Sequence, residues 1–543
     1  MKVLGASIGN CVHTGGIVNF LHLAEEAGYT ATFLGPAVPV LRVVEAIRTE
    51  KPDLVAISYR LTPENASAIL HQFTQAVDAK GLRKGRRFVF GGTPPCAAEA
   101  SKTRLFDAVF DGGQPLPEIV AWLRGETASR GKESYAHTLV ERIEQRHPWP
   151  LIRHHFGMPS LEETVSGAQE IAEAHALDVL SIAPDQNAQE FLFRPGEMRP
   201  ELDGAGGVPV RSPDDLHRIH EATRRGNFPL IRCYSGTNDL VKWAAMLVDT
   251  IEIAWGAIPL FWYSQLDGRS KRPLEVSIVE NVEAMGFYAS KDVPVEVNES
   301  HHWSLRDAPD AVAVAAAFLA AYSAKKAGVR TYVAQYMFNN PRGTSPANDL
   351  AKMYAKIELV ESLQGGSFRV YREARTGLNS LPLDMDQAKG HLGSSIHTMM
   401  AIRPQILHVV GYSEANYHVG PKELIESCRI AQGAVRNALL GLPDPLTDEA
   451  IKTRKAELVD EARFLLDEIR DFAGPGVEDP WAHPETLARA VKAGILDAPH
   501  LLGNPVACGR TITRMIDGAS RAVDPETGKP MTERQRLKWL GVT

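Results

Sequence analysis

The sequence predicts an α/β protein in two parts: a flavodoxin-like (Rossmann-like) parallel sheet, then a (β/α)8 TIM barrel with a helical, loop-rich C-terminal extension. Three observations carry this. The first 125 residues alternate short apolar runs with helical patterns of 10–15 residues, the signature of βαβ units. A second alternation with a longer period begins near residue 165 and supplies seven or eight β/α units over roughly 270 residues. Polar, chemically capable segments stand at the ends of successive strands of that second series, where a barrel keeps its active site.

The elements follow in order. Lys2–Ile8 is an apolar run ending in Gly9-Asn10, and Ile17–Ala27 has helical spacing and stops at Gly28. Thr30–Leu34 is a strand closed by Gly35-Pro36, Val40–Arg48 is helical, and Leu54–Ser58 is a buried-type strand. A helix over Ala66–Ala79, a strand over Arg87–Phe90 before Gly91-Gly92 and a strand over Ala108–Phe110 complete a domain of residues 1–125. Residues 126–165 are polar and proline-punctuated at first and read as a linker with one helix. The barrel domain spans 166–445, with strands expected at Asp178–Ile182, Leu230–Cys233, Thr250–Ile253, Val293–Val297, Thr331–Tyr336, Phe368–Tyr371 and Ile406–Val410, and an eighth near Pro259–Trp262. Residues 446–543 form the helical and loop-rich extension.

Composition removes several classes. With 543 residues and a net charge of −7 the chain has ample core and no electrostatic footprint for nucleic acid or a membrane surface. Five cysteines, an odd count without a Cys-x-x-Cys pair, argue against a disulfide framework and a zinc ribbon. No apolar stretch approaches the ~18 residues of a membrane span, and the amino-terminal run is too short for a signal peptide. A cytoplasmic enzyme is the expectation.

The loop after the first strand, Asn10–Gly16, lacks the Gly-x-Gly-x-x-Gly that a pyrophosphate needs. It presents instead a histidine, His13, at the carboxyl edge of the strand, with Gly16 three residues later. An imidazole there suits a metal ligand aimed at a flat cofactor, or it merely packs in the loop. Ser58 ends the third strand and Gly91-Gly92-Thr93 the fourth, on the same sheet edge, so small groups leave an open channel beside His13. This set resembles the cobalamin-binding domain of base-off, His-on B12 enzymes, whose signature is Asp-x-His-x-x-Gly with a serine after the third strand and Gly-Gly after the fourth. The resemblance implies that His13 is the lower axial ligand of cobalt. It further implies a cofactor-binding set of Cys11, Thr14, Gly15, Gly16, Ser58, Leu61, Gly91, Gly92 and Thr93. Cys11 stands where the family has the aspartate that supports the ligand histidine, so that support is altered here.

Polar segments at the barrel strand ends are Tyr234–Asp239, Ser264–Arg272, Asn298–Trp303, Gln335–Gly343 and Gly411–His418. A zinc site on Glu299, His301 and His302 fails on spacing, because adjacent loop residues do not converge on a tetrahedral ion. Cys233 has no identifiable base beside it and reads as a structural thiol. Pro229–Asp239, Leu274–Ile278, Val409–Ala415 and Gly494–Pro499 resemble, collinearly, segments of the catalytic subunit of the glutamate mutase (methylaspartate mutase) family. That resemblance implies that Glu414 binds the ribose of an adenosyl group, although the family's lysine four residues earlier is Val410. The family's arginine claw is replaced by Tyr234 and Glu299, leaving Arg269, Lys271 or Arg272 of the basic loop, so glutamate is an improbable substrate. No lysine is placed for a pyridoxal phosphate Schiff base.

The sequence therefore implies an adenosylcobalamin-dependent radical isomerase, mutase-like, acting on a small polar substrate. Candidate substrate contacts are Tyr234, Arg269, Glu299, His302, Tyr336 and Asn339. A corrinoid-dependent methyltransferase and a non-catalytic cobalamin-binding protein are the alternatives. By analogy with the family, a homodimer and a reactivating chaperone are the expected partners.

Overall fold

Five parallel strands open the chain in this computed structural model, which describes residues 1–114, 116–125 and 135–542. They are β1 (Lys2–Ser7), β2 (Thr30–Phe33), β3 (Leu54–Tyr59), β4 (Arg87–Gly92) and β5 (Ala108–Phe110), in the order β2-β1-β3-β4-β5. Strand order reverses between β1 and β3, which creates a crevice at their carboxyl ends. Alternation along the strands feeds two cores. Leu4, Ala6, Val55, Ile57 and Phe88 pack beneath the helices Val40–Glu50, Pro63–Ala79 and Pro94–Lys102. Val3, Leu54, Ala56 and Val89 pack on the opposite face, with Ile17 and Leu21 of the helix Gly15–Glu26. All six residues of β3 are buried, as a central strand covered on both faces requires. The chain divides into two units at Ser134/Tyr135, and each is described by itself.

The second unit holds eight parallel strands: β6 (Leu151–Phe156), β7 (Val179–Ile182), β8 (Leu230–Cys233), β9 (Gly256–Ile258), β10 (Val295–Val297), β11 (Thr331–Phe338), β12 (Arg369–Thr376) and β13 (Ile406–His408). Their order is β8-β7-β6-β13-β12-β11-β10-β9, and the two ends meet through a backbone bond from Ala254 N–H to the Ile231 carbonyl at 2.8 Å. This is the expected parallel barrel, with three corrections to its elements. Its first strand, β6, lies inside the segment read as linker, because Arg153-His154-His155 interrupts the apolar run. Thr250–Ile253 is no strand: its first two residues end the helix Leu240–Ile251. The strand expected near Pro259–Trp262 is β9, which ends before that proline.

Inward-facing residues are layered by strand alternation. Leu151, Val179, Leu230, Val333, Tyr371 and Ile406 form an apolar floor with Trp255. Leu139 and Ile143 of the helix Leu139–Arg146 join this cluster, so the helix expected in the linker plugs the amino-terminal end of the barrel. Two residues further along the strands the lining is polar and buried: Arg153, Ser181, Arg232, Gln335, Glu373 and His408, with Glu296 from β10. The extension contributes the helix Glu449–Asp471 and a hairpin of β14 (Thr513–Ile516) and β15 (Ala519–Ala522), not anticipated from the sequence and turned by Asp517-Gly518, both at positive φ. No described helix is long and apolar enough to cross a membrane.

Candidate functional site

In the first unit a groove of about 410 Å³ runs along the carboxyl edge of β3 and β4 against the helix Gly15–Glu26. His13, Gly16, Ser58, Gly91, Gly92 and Thr93 line it, with Phe20, Phe110 and Ile119 as apolar wall. The loop carrying His13 is pinned from both sides. The Ser7 hydroxyl donates to the His13 carbonyl at 3.2 Å, and the Tyr59 hydroxyl donates to Asn10 Oδ1 at 2.9 Å. The His13 ring itself stays exposed, and its Nδ1 lies 3.9 Å from Sγ of the buried Cys11. Cys11 thus stands beside the ring with its sulfur.

The two adjacent glycines do different things. A Cβ on Gly92 would lie 2.3 Å from the Tyr59 carbonyl oxygen, so Gly92 is required by the close approach of β3. A Cβ on Gly91 would meet nothing within 4 Å, so Gly91 keeps the groove open. Ser58 is 8% exposed, and its hydroxyl has no hydrogen-bond partner. Leaving a buried hydroxyl unpaired costs on the order of 1–3 kcal/mol, a cost that a ligand in the groove would offset. An open cradle, an orphaned hydroxyl and an exposed imidazole on one edge fit a cofactor with a long tail and a metal. Four residues of the expected set do not line the groove. Cys11 is buried beneath His13, Thr14 is the N-cap of the helix, Gly15 opens that helix, and Leu61 lies beyond β3 with its carbonyl 3.8 Å from Cys96 Sγ.

In the second unit a cavity of about 370 Å³ occupies the carboxyl-terminal mouth of the barrel. Its lining includes Arg153, Tyr234, Tyr263, Arg269, Asn298, His301, His302, Gln335, Met337 and Arg375. At its base lies the polar layer, from which Arg153 and Gln335 reach the lining, and its charged groups pair with one another. Arg153 bonds Glu373, Arg232 bonds Glu296 at 3.0 Å, and the Gln335 amide donates to Glu296 at 2.7 Å and Glu373 at 3.2 Å. Burial pushes the Glu373 carboxyl up to about 7, against the pull of Arg153. Burial, reinforced by Arg153, holds His155 well below the usual imidazole range, and burial with Arg306 and Arg269 does the same to His302. These rings are neutral, and His155 shares a hydrogen bond with the Tyr234 hydroxyl.

Tyr234, Arg269 and His302 therefore reach the cavity as expected. Arg269 stacks over Tyr263 at 5.5 Å, whereas Arg272 is spent on Glu280 and on the carbonyls of Thr237 and Tyr263. Three expected contacts lie elsewhere. Tyr336 faces the helical layer, because its neighbours Gln335 and Met337 take the inward positions of β11. Asn339 is held outside the lining, its amide N–H on Asp349 at 2.5 Å and its Oδ1 accepting from Ser395 at 2.6 Å. Glu299 is a buried clamp: its carboxylate accepts from the Leu260 and Phe261 amides at 3.0 and 3.1 Å and from the Trp303 indole at 2.7 Å. Glu414 also stands off the cavity lining, with Oε1 accepting from the Gly411 amide at 2.9 Å.

Glu299→Ala is accordingly expected to cost stability of about 3 kcal/mol, since three buried donors lose their acceptor. Urea unfolding checks this, and a variant that lost activity at unchanged stability would return Glu299 to the substrate site. Sequence reasoning held Asn298 and Gln335 only as members of their polar segments, without singling them out, and passed over Arg153, His155 and Arg375. Arg153 and His155 stand in a run of three polar residues and Arg375 in a strand that also carries Arg372 and Glu373, so no clean alternation marked them.

Residues 1–120 match the family model of the B12 binding domain, so the first unit carries a B12-binding domain and cobalamin is the ligand class it supports. No curated protein matches the chain. Among solved structures, the chain is similar to a novel cobalamin-binding protein from Desulfitobacterium hafniense DCB-2, at 24% identity over 23% of this chain, with a TM-score of 0.20. The match spans 55% of that protein's length. A second similarity is to the apo, SeMet-labelled cobalamin-dependent S-adenosylmethionine radical enzyme OxsB, at 11% identity over 91% of this chain and 73% of that one, with a TM-score of 0.17.

Proposed function

We propose that this chain is a cobalamin-dependent enzyme and, within that class, an adenosylcobalamin-dependent radical isomerase acting on a small polar substrate other than glutamate. The observation supporting the cofactor reading is the meeting of an exposed imidazole, an unpartnered buried hydroxyl and an open glycine along one groove. In this reading His13 would hold cobalt through Nε2, because Nδ1 is the nitrogen turned to Cys11. Ser58 pairs its hydroxyl with the cofactor tail, Gly91 leaves that tail room, and Glu414 is the carboxylate for the adenosyl ribose.

Adenosylcobalamin, if held there, would supply radical chemistry that no side chain provides. The protein's share is binding, orientation and exclusion of water. Tyr234, braced by His155, with Arg269 and His302, supplies polar contacts at the barrel mouth. Glutamate is disfavoured in this reading because the resemblance to the glutamate mutase family implies Tyr234 and Glu299 in place of two claw arginines, and Glu299 is consumed by its backbone clamp. A homodimer and a reactivating chaperone belong to the same reading.

The test is hydrogen exchange with the cofactor. Full-length protein incubated with adenosylcobalamin tritiated at its 5′ carbon and a panel of small hydroxy, amino and carboxylic acids is expected to move tritium into one of them. Methyl transfer from methylcobalamin, with no tritium moved, would replace the isomerase by a methyltransferase.

A further inference from the structure

We propose that the barrel mouth holds its substrate by an anionic group, a carboxylate or a phosphate, seated on the guanidinium of Arg375. This rests on reading the mouth as the substrate site, and it adds the chemical class of what is bound there.

The inference comes from charge accounting inside the barrel. In the polar layer at the base of the cavity, two guanidinium groups (Arg153, which reaches the lining, and Arg232, which does not) stand against two carboxylates (Glu296 and Glu373), and each carboxylate is bonded to one of them. The atoms these four groups leave unpartnered, Arg232 Nε and Nη1 and Glu373 Oε2, belong to residues outside the cavity lining. One step higher, Arg375 follows Glu373 on the inward face of β12 and enters the cavity lining. Among the described residues its guanidinium makes no hydrogen bond or ion pair, acting on Glu296 only through space, and its Nε is buried without a partner. The second free cation of the lining, Arg269, meets a carboxylate only at 4.0 Å, from Asp267. Among the described residues no aspartate or glutamate lines the cavity.

A guanidinium with a buried, unsatisfied N–H, facing a cavity without a counter-charge, is an incomplete ion pair. Its planar fork matches the two oxygens of a carboxylate or phosphate. The nearby imidazoles His301 and His302 are held neutral by burial and so offer an anion hydrogen bonds without competing for Arg375. The Oε1 of Gln335, also buried and unpartnered, is left as an acceptor for a donor group on the same ligand. A volume of about 370 Å³ limits that ligand to a small molecule.

Isothermal titration of the full chain with lactate, its neutral isostere lactamide and inorganic phosphate tests this. At least one anion is expected to bind tenfold or more tighter than lactamide, and the better of the two identifies carboxylate or phosphate. Arg375→Gln is expected to bring that preference below twofold, while Arg375→Lys, which keeps the charge without the fork, retains part of it. Lactamide binding as well as both anions, no binding by any of the three, or a preference that survives Arg375→Gln would overturn the proposal. Cobalamin binding, followed in parallel by absorbance, separates the two readings. Anion preference in a chain that binds no cobalamin would leave this inference standing and remove the proposed function. Cobalamin binding without anion preference would remove this inference alone.

Discussion

His13→Ala is expected to abolish protein-nitrogen coordination of cobalt and to lower cobalamin affinity about 100-fold, the upper end of what the loss of even a supporting group costs a metal site. The wild-type chain should bind cobalamin with its own nucleotide base displaced, giving a base-off absorption spectrum. The reduced cobalt form should show a paramagnetic resonance split by one protein nitrogen. Both signatures should vanish in the variant. The fold should not suffer, because the ring is exposed and its nearest recorded partner is the Cys11 thiol at 3.9 Å. A change in unfolding free energy within about 0.5 kcal/mol is expected. Gly91→Leu approaches the same endpoint from the other side, filling the groove while leaving His13 in place. It should lower affinity without removing the nitrogen splitting from whatever cofactor still binds. An unchanged spectrum in His13→Ala would end the assignment of this residue to cobalt.

Arg153→Ala is expected to be the most destabilising single change in the barrel, at about 3–5 kcal/mol, because it strips one partner from a buried ionic layer. Arg153 is fully buried, bonds Glu373 and lies 3.5 Å from Glu296. The loss should depend on pH, and the sign follows from Glu373. Burial raises that carboxyl to about 7 from an ordinary value near 4.5, so folding takes up a proton between those values. The associated stability is complete below the ordinary carboxylate range and is lost as pH rises through about 7. Without Arg153 the ionised carboxylate has less compensation, so the variant should be penalised more at pH 8.5 than at pH 6. Adding Glu373→Gln should recover part of the loss and flatten the pH dependence. A loss below about 1 kcal/mol that is independent of pH would show that Arg232 and Gln335 suffice to neutralise the layer.

The amino-terminal sheet was legible almost residue by residue. Its central strands β1, β3 and β4 are mostly apolar, its helices are amphipathic, and Gly9, Gly28 and Gly35 mark the turns at positive φ. The groove residues on that sheet were legible for the same reason: once the strand ends are known, a parallel sheet puts His13, Ser58 and Gly91 on one edge. The barrel hid more. The segment Leu151–Phe156 carries Arg153, His154 and His155 and therefore reads as loop, yet it is a buried strand whose polar members pair inside the barrel. Nothing local to that segment announces partners such as Glu373, 220 residues away.

The sequence alone determined that two α/β units follow one another, that the first presents His13, Ser58 and Gly91 on one sheet edge, and that Asn298–Trp303 and Gln335–Gly343 lie at the mouth of the second. Which side chains of those segments enter the cavity was decided by the tertiary structure. Glu299 and Tyr336 were each one position from residues that do, Asn298 on one side and Gln335 and Met337 on the other. A strand repeats every two residues, so a shift of one exchanges interior for exterior. That parity is set when distant strands pair and the barrel closes, and only then do Arg153, Arg232, Glu296 and Glu373 neutralise one another and leave Arg375 uncovered.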